Sequence, residues 1–273
     1  MPSTKYQQTL PLFGFLLTLL FAPDCVNGEP SAAEGDVVEV DTGVVVSAAT
    51  WSLDWNTEGV VFAPEGGFSL TTDLGYEIVI HRGFHVLHGV SLAACPTAPA
   101  SASWGLSIRS ALAHTAEEDP SAIETLFITD LSQKPVLAEI GASAFPPIHY
   151  CRVFSLLARG MAGAFGPDGE DLSNRSVFFE GTFRRGDVAG PISIDTWWPQ
   201  GKLVDLAEVI EPGIYETAKN EENAKFAFVT IRVPLGSVFD GIDFATDIEP
   251  VVVDAVVDNL AKRTDFVVDL KAP

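Results

Sequence analysis

Basic residues are scarce in this chain: 16 Lys and Arg stand against 37 Asp and Glu, a net charge of −21. So acidic a surface repels phosphate backbones and anionic lipid headgroups, which disfavours nucleic acid and membrane surfaces as partners. Cysteine is scarcer still, at three residues with no Cys-x-x-Cys pair, and a structural zinc site is accordingly not expected. Also missing are a nucleophile elbow, an HExxH helix, a phosphate loop and a dinucleotide fingerprint. The reading that follows is non-enzymatic. A hydrolase with two paired carboxylates is the weakest alternative, since pairing in space is not visible in a sequence.

Long apolar runs are confined to the start, where Leu10 to Ala22 follow a single Lys5. This run is too short for a comfortable bilayer span and matches the h-region of a secretory signal. Small residues follow at Val26-Asn27-Gly28, which places cleavage after Gly28 and makes residues 1–28 a signal peptide. A lipid anchor at Cys25 is the alternative, although Ala22-Pro23-Asp24 forms a poor lipobox. The expected destination is the secreted space or the cell envelope. Residues 29–273 then form a single domain, and Cys95 and Cys151 remain as an even pair suited to a disulfide in an oxidising compartment.

The dominant hydrophobic period in the mature chain is two. Tyr76, Ile78, Ile80, Phe84, Val86, Val90 and Leu92 share one parity, while Glu77, His81, His85 and Ser91 share the other. Similar short runs recur at "GVVVSA", "ETLFITDL", "IHYCRVFSLLA", "RSVFFEGTF", "GPISIDTWW" and "KFAFVTIRV". "RRGDVA" is expected to turn a hairpin. Only "EPVVVDAVVDNLAKR" has a helical stripe, formed by Val252, Val253, Val256, Val257 and Leu260 with Pro250 near its start. The expected fold is therefore mainly β, an antiparallel β-sandwich with one short C-terminal helix. Residues 96–122 read as a long loop.

All five histidines lie between residues 81 and 149. On one continuous strand His81 and His85 face the same way about 13 Å apart, too far to share an ion bound at about 2.0–2.1 Å. His88 has core parity. A local chelate therefore fails unless a β-bulge at Gly83 re-aims the side chains. Across strands, His81 or His85 meeting His114 or His149, completed by Asp or Glu, would hold a transition metal such as copper or zinc. The competing reading is a buried His88 with the others solvated.

Other motifs are weaker. Asp168, Glu170 and Asp171, and Asp240, Asp243 and Asp247, carry oxygen ligands suited to calcium, but neither group has EF-hand spacing. Arg185-Gly186-Asp187 is an RGD tripeptide in an expected turn, and Asn174-Arg175-Ser176 fits the glycosylation pattern. Trp197 and Trp198 are expected on opposite faces of a strand, one of them free to stack on a sugar or peptide.

Three stretches, "TTDLGYEIVIHRGFHVLHGVSLAAC", "PPIHYCRVFSLLA" and "VFDGIDF", together resemble a group of uncharacterised exported bacterial lipoproteins. The matching positions are Thr72, Asp73, Gly75, Tyr76, Cys95, Tyr150, Cys151, Arg152 and Val153. The chain departs from that group in its lipobox and in a His-rich loop reduced to His114. The resemblance implies an envelope β protein and supplies no reaction. The functional expectation is an exported ligand-binding protein, its partner a small ligand or a cell-surface molecule. The alternative is a structural or adhesive surface protein.

Overall fold

The computed structural model describes residues 43–95, 122 and 123, 126–166 and 169–272. Strands account for 54% of it and helices for 14%, so the fold is mainly β. The expected leader, Cys25 and His114 lie outside the described residues.

Twelve strands join in one hydrogen-bonded network. Its main path runs β12 (Asp265–Lys271), β11 (Lys225–Pro234), β1 (Val44–Asn56), β7 (Ala138–Leu157), β4 (Glu77–Ala94), β3 (Phe68–Thr71) and β2 (Val61–Phe62). The two longest strands make the sheet curl, because each changes neighbours along its length. β7 pairs with β1 over its first part, then with β10 (Gln200–Asp205) and β4. β4 leaves β8 (Val177–Arg185) for β7, and meets β6 (Phe127–Asp130) and β5 (Ala122–Ile123) on its other side. The β9 strand (Val188–Thr196) lies beyond β8. The hydrogen bonding thus forms one large curled sheet. One pairing departs from the antiparallel expectation: β1 and β11 run parallel, joined by the long excursion that contains β2 to β10.

The helical stripe at the end of the chain is α3, Glu249–Lys262, with Pro250 in its first turn. Its Val256, Val257, Leu260 and Ala261 are buried, while Val252 and Val253 pack at the margin of the core. Two further helices, α1 (Leu206–Val209) and α2 (Pro212–Lys219), correct the expectation of a single one. The α2 signal is short: Pro212 opens the helix, and its buried Tyr215 and Ala218 are only three residues apart. Trp51, Tyr76, Phe68, Phe179 and Phe239 are the largest fully buried side chains of the main core. A smaller cluster of Phe84, Ala164, Leu172 and Phe178 forms separately.

Cys95 and Cys151 are joined by a disulfide across neighbouring strands, their Cα atoms 4.8 Å apart. The Cys95 N–H also donates to the His149 carbonyl at 2.9 Å, which continues the β4–β7 ladder to the bridge. Gly43 presses against it. Its φ of 63° lies in the left-handed region, and a Cβ there would stand 2.9 Å from Cys151 Sγ and closer still to Cys95 Sγ. Gly43→Ala is therefore expected to cost about 2 kcal/mol through strain and overpacking together, measured by urea unfolding. In a background lacking both cysteines the cost should fall only in part, because the left-handed φ and the Tyr150 carbonyl in the path of the Cβ remain.

Candidate functional site

The histidine stretch is reorganised by two one-residue bulges. The register of β4 against β8 shifts between Ile80 and Arg82, and against β7 between Leu87 and Gly89. The extra residues are His81 and His88. Each bulge inverts the inward parity of the strand. Before the first, Ile78 and Ile80 enter the main core; after the second, Val90 and Leu92 do. Between them Leu87 enters that core and Phe84 turns to the second cluster. A Cβ at Gly83 would meet the Phe179 ring.

His85 goes inward with that segment and is 2% exposed, its ring 5.0 Å edge-on from Trp55. His81 and His149 remain exposed, and His88 is half-buried. The expectation that His81 and His85 share a solvent face while His88 enters the core is corrected. The bulge sits at His81, two residues before Gly83. Among the described residues no three His, Cys, Asp or Glu come together as a metal-holding group.

His85 faces Thr129 directly across the β4–β6 pair. Both are buried, and neither His85 Nδ1 nor Thr129 Oγ1 has a hydrogen-bond partner among the described residues. Burial pushes the imidazole down from 6.5 to about 3, so it is neutral at physiological pH.

The acidic run 240–247 meets the "TTDLGY" stretch across the sheet. Asp73 accepts the Gly241 N–H at 2.8 Å, and Asp240 accepts the Asp73 N–H at 3.2 Å, a reciprocal pair. The Tyr76 hydroxyl donates to Asp243 and accepts the Ala245 N–H at 3.1 Å. Its ring packs edge-on against Phe183 and Phe244. The Tyr76 hydrogen bond, with help from the Ala245 N–H, holds the Asp243 carboxyl below the usual range. Burial pushes the Tyr76 hydroxyl up. Asp247 accepts the Asp243 N–H at 2.8 Å. These carboxylates are engaged in closing their own loop, and the geometry offers no calcium cage.

Arg185, the first residue of the RGD tripeptide, joins the same interlock. Its guanidinium lies 4.2 Å from the Tyr76 ring centroid, donates to the Leu74 carbonyl at 3.3 Å and reaches Asp243 at 3.4 Å. The tripeptide does turn a hairpin, with Gly186 at φ 58° between β8 and β9. In the other acidic run, Glu170 bridges Arg82 and Arg175, and both guanidiniums lie over Phe178. Asp168 lies outside the described residues.

Trp197 and Trp198 behave differently from expectation. They follow the last residue of β9 and leave the pleat, so their side chains are not forced to opposite faces. Their rings stack at 5.6 Å with planes 10° apart, and each residue is 54% exposed. The backbone beneath is tied down. The Trp198 N–H donates to Thr196 Oγ1 at 3.2 Å, and the fully buried Ser176 donates its hydroxyl to the Trp198 carbonyl at 3.0 Å. Two large apolar rings are thus held in water on a fixed backbone. A groove of about 230 Å³ between α2 and the end of β12, lined by Ile214, Thr217, Lys225 and Leu270, is smaller than ordinary small-ligand sites.

No family model, curated protein or solved structure matches this chain. Among the described residues no helix is long and apolar enough to cross a membrane.

Proposed function

We propose that the chain is an exported, non-enzymatic ligand-binding protein of the cell envelope that contacts its ligand through Trp197 and Trp198. The observation that carries this reading is the exposed indole stack. Leaving two indoles in water forgoes roughly 1.5–3 kcal/mol of burial for each, and large aromatics with a polar handle are favoured at contact surfaces. Export is supported by the Cys95–Cys151 bridge, which persists in an oxidising compartment. It is further supported by the leader pattern and by the resemblance to exported lipoproteins. The binding reading makes no use of His85, which is enclosed in the core.

Two measurements check it. Intact mass of the exported protein is expected to begin at Glu29, whereas a lipidated start at Cys25 or an unprocessed Met1 would contradict the leader assignment. Titration calorimetry would compare the native chain with Trp197→Ala/Trp198→Ala against three probes: a neutral oligosaccharide, a tetra-arginine peptide and its neutral citrulline counterpart. At least one probe is expected to bind the native chain at least twofold more tightly. Equal behaviour of the two proteins toward all three would refute the Trp surface.

A further inference from the structure

We infer that the Trp197–Trp198 surface recognises a cationic group, of guanidinium, ammonium or quaternary ammonium type; this rests on the binding reading above and names its ligand class. The first ground is that several of the chain's other aromatic rings carry a cation of their own. Arg185 lies over Tyr76 at 4.2 Å, Lys271 over Phe228 at 4.2 Å, and Arg82 and Arg175 over Phe178 at 5.6 and 5.1 Å. Indole is the best ring of all for such a contact. Among the described residues neither Trp197 nor Trp198 carries a cation of the chain's own.

The second ground is charge complementarity. The net charge of −21 raises the local concentration of cations and steers them to the surface. Two guanidiniums of the neighbouring Phe178 cluster are already neutralised, whereas among the described residues the exposed Arg159 has no carboxylate partner. Arg175, which precedes the Ser176 that holds Trp198, is paired with Glu170 at 2.7 Å and Asp195 at 3.1 Å. Arg82 is paired with Glu170 and with Glu180 at 3.7 Å. An anionic ligand therefore meets the repulsive field of the whole chain. A cation finds the negative π-face of an indole inside that same field.

The stack also favours a small contact over a broad one. With planes nearly parallel and centroids 5.6 Å apart, the rings are offset and overlap only in part, and each keeps an outer face open to solvent. An outer face of one indole suits a single guanidinium or methylated ammonium head.

The test uses the full mature chain with tetra-arginine and tetra-citrulline, equal in length and differing in charge. Tetra-arginine is expected to bind at least tenfold more tightly, and its affinity should fall as salt rises from 0.05 to 0.5 M. Trp197→Ala/Trp198→Ala leaves every charge in place and is expected to weaken it by about 2- to 30-fold. Trp197→Phe/Trp198→Phe should fall between the two, and circular dichroism confirms that each variant is folded. If the alanine variant binds tetra-arginine as tightly as the native chain, the attraction comes from net charge alone and the inference fails. If tetra-citrulline or the oligosaccharide binds through the Trp pair as well as tetra-arginine does, the ligand class is wrong while the binding surface stands.

Discussion

Cys95→Ala/Cys151→Ala is expected to lower the unfolding free energy by about 4 kcal/mol, read as a drop in the urea midpoint with a steeper slope, since the uncrosslinked unfolded chain exposes more surface. The bridge spans a sequence separation of 56, and confining a loop of that size removes entropy chiefly from the unfolded chain. In the folded state the two cysteines are already held together by the ladder, through Ala94 opposite Tyr150 and the Cys95 N–H on the His149 carbonyl. Native structure should therefore survive the double substitution, with hydrogen-exchange protection lost first where β4 ends. A loss under 1 kcal/mol would show that the unfolded chain gains nothing from the bridge. Complete unfolding at 25 °C would show that the ladder cannot hold this junction alone.

Acidification from pH 7 to pH 4 is expected to cost about 3 kcal/mol through His85 alone. Its folded value of about 3 lies below the unfolded 6.5. Between these values the unfolded chain binds a proton that the native core refuses, so stability rises with pH across that window. The contribution is complete above about pH 6.5 and is lost as pH falls toward 3. His85→Leu removes the titrating group and the unpartnered Nδ1 together, and should flatten this part of the curve. Asp171 and Asp243, whose carboxyls are held low by hydrogen bonds from Ser173 and Tyr76, titrate alike in both proteins and cancel in the difference. Urea unfolding at pH 7 and pH 4 is the measurement. Parallel acid losses in the native chain and His85→Leu would show that the imidazole is not enclosed in solution.

Alternation made β4 legible as a strand, since Ile78, Ile80, Val90 and Leu92 keep one parity through the whole stretch. That very regularity hid the bulges. Two insertions of one residue cancel beyond Gly89, so the flanks look like one uninterrupted pleat while the middle is reversed. The uninterrupted alternation therefore points His85 to solvent. The apolar pattern runs on past Thr196 and so points Trp197 and Trp198 to opposite faces, but the strand itself stops at Thr196. The α2 helix left too short a stripe to register, with one turn of buried residues and a proline as its start signal.

Local periodicity, turn residues and an even cysteine pair were enough, read from the chain by itself, to determine a mainly β fold, the helix at 249–262 and the disulfide partners. These depend on interactions between near neighbours or on simple pairing. The curl of one shared sheet, the parallel pairing of β1 with β11, the Asp73–Asp240 interlock and the inward turn of His85 were decided only by tertiary structure. Each joins residues far apart in sequence or turns on a single register slip, and a one-residue shift reverses a side chain without leaving a trace in composition.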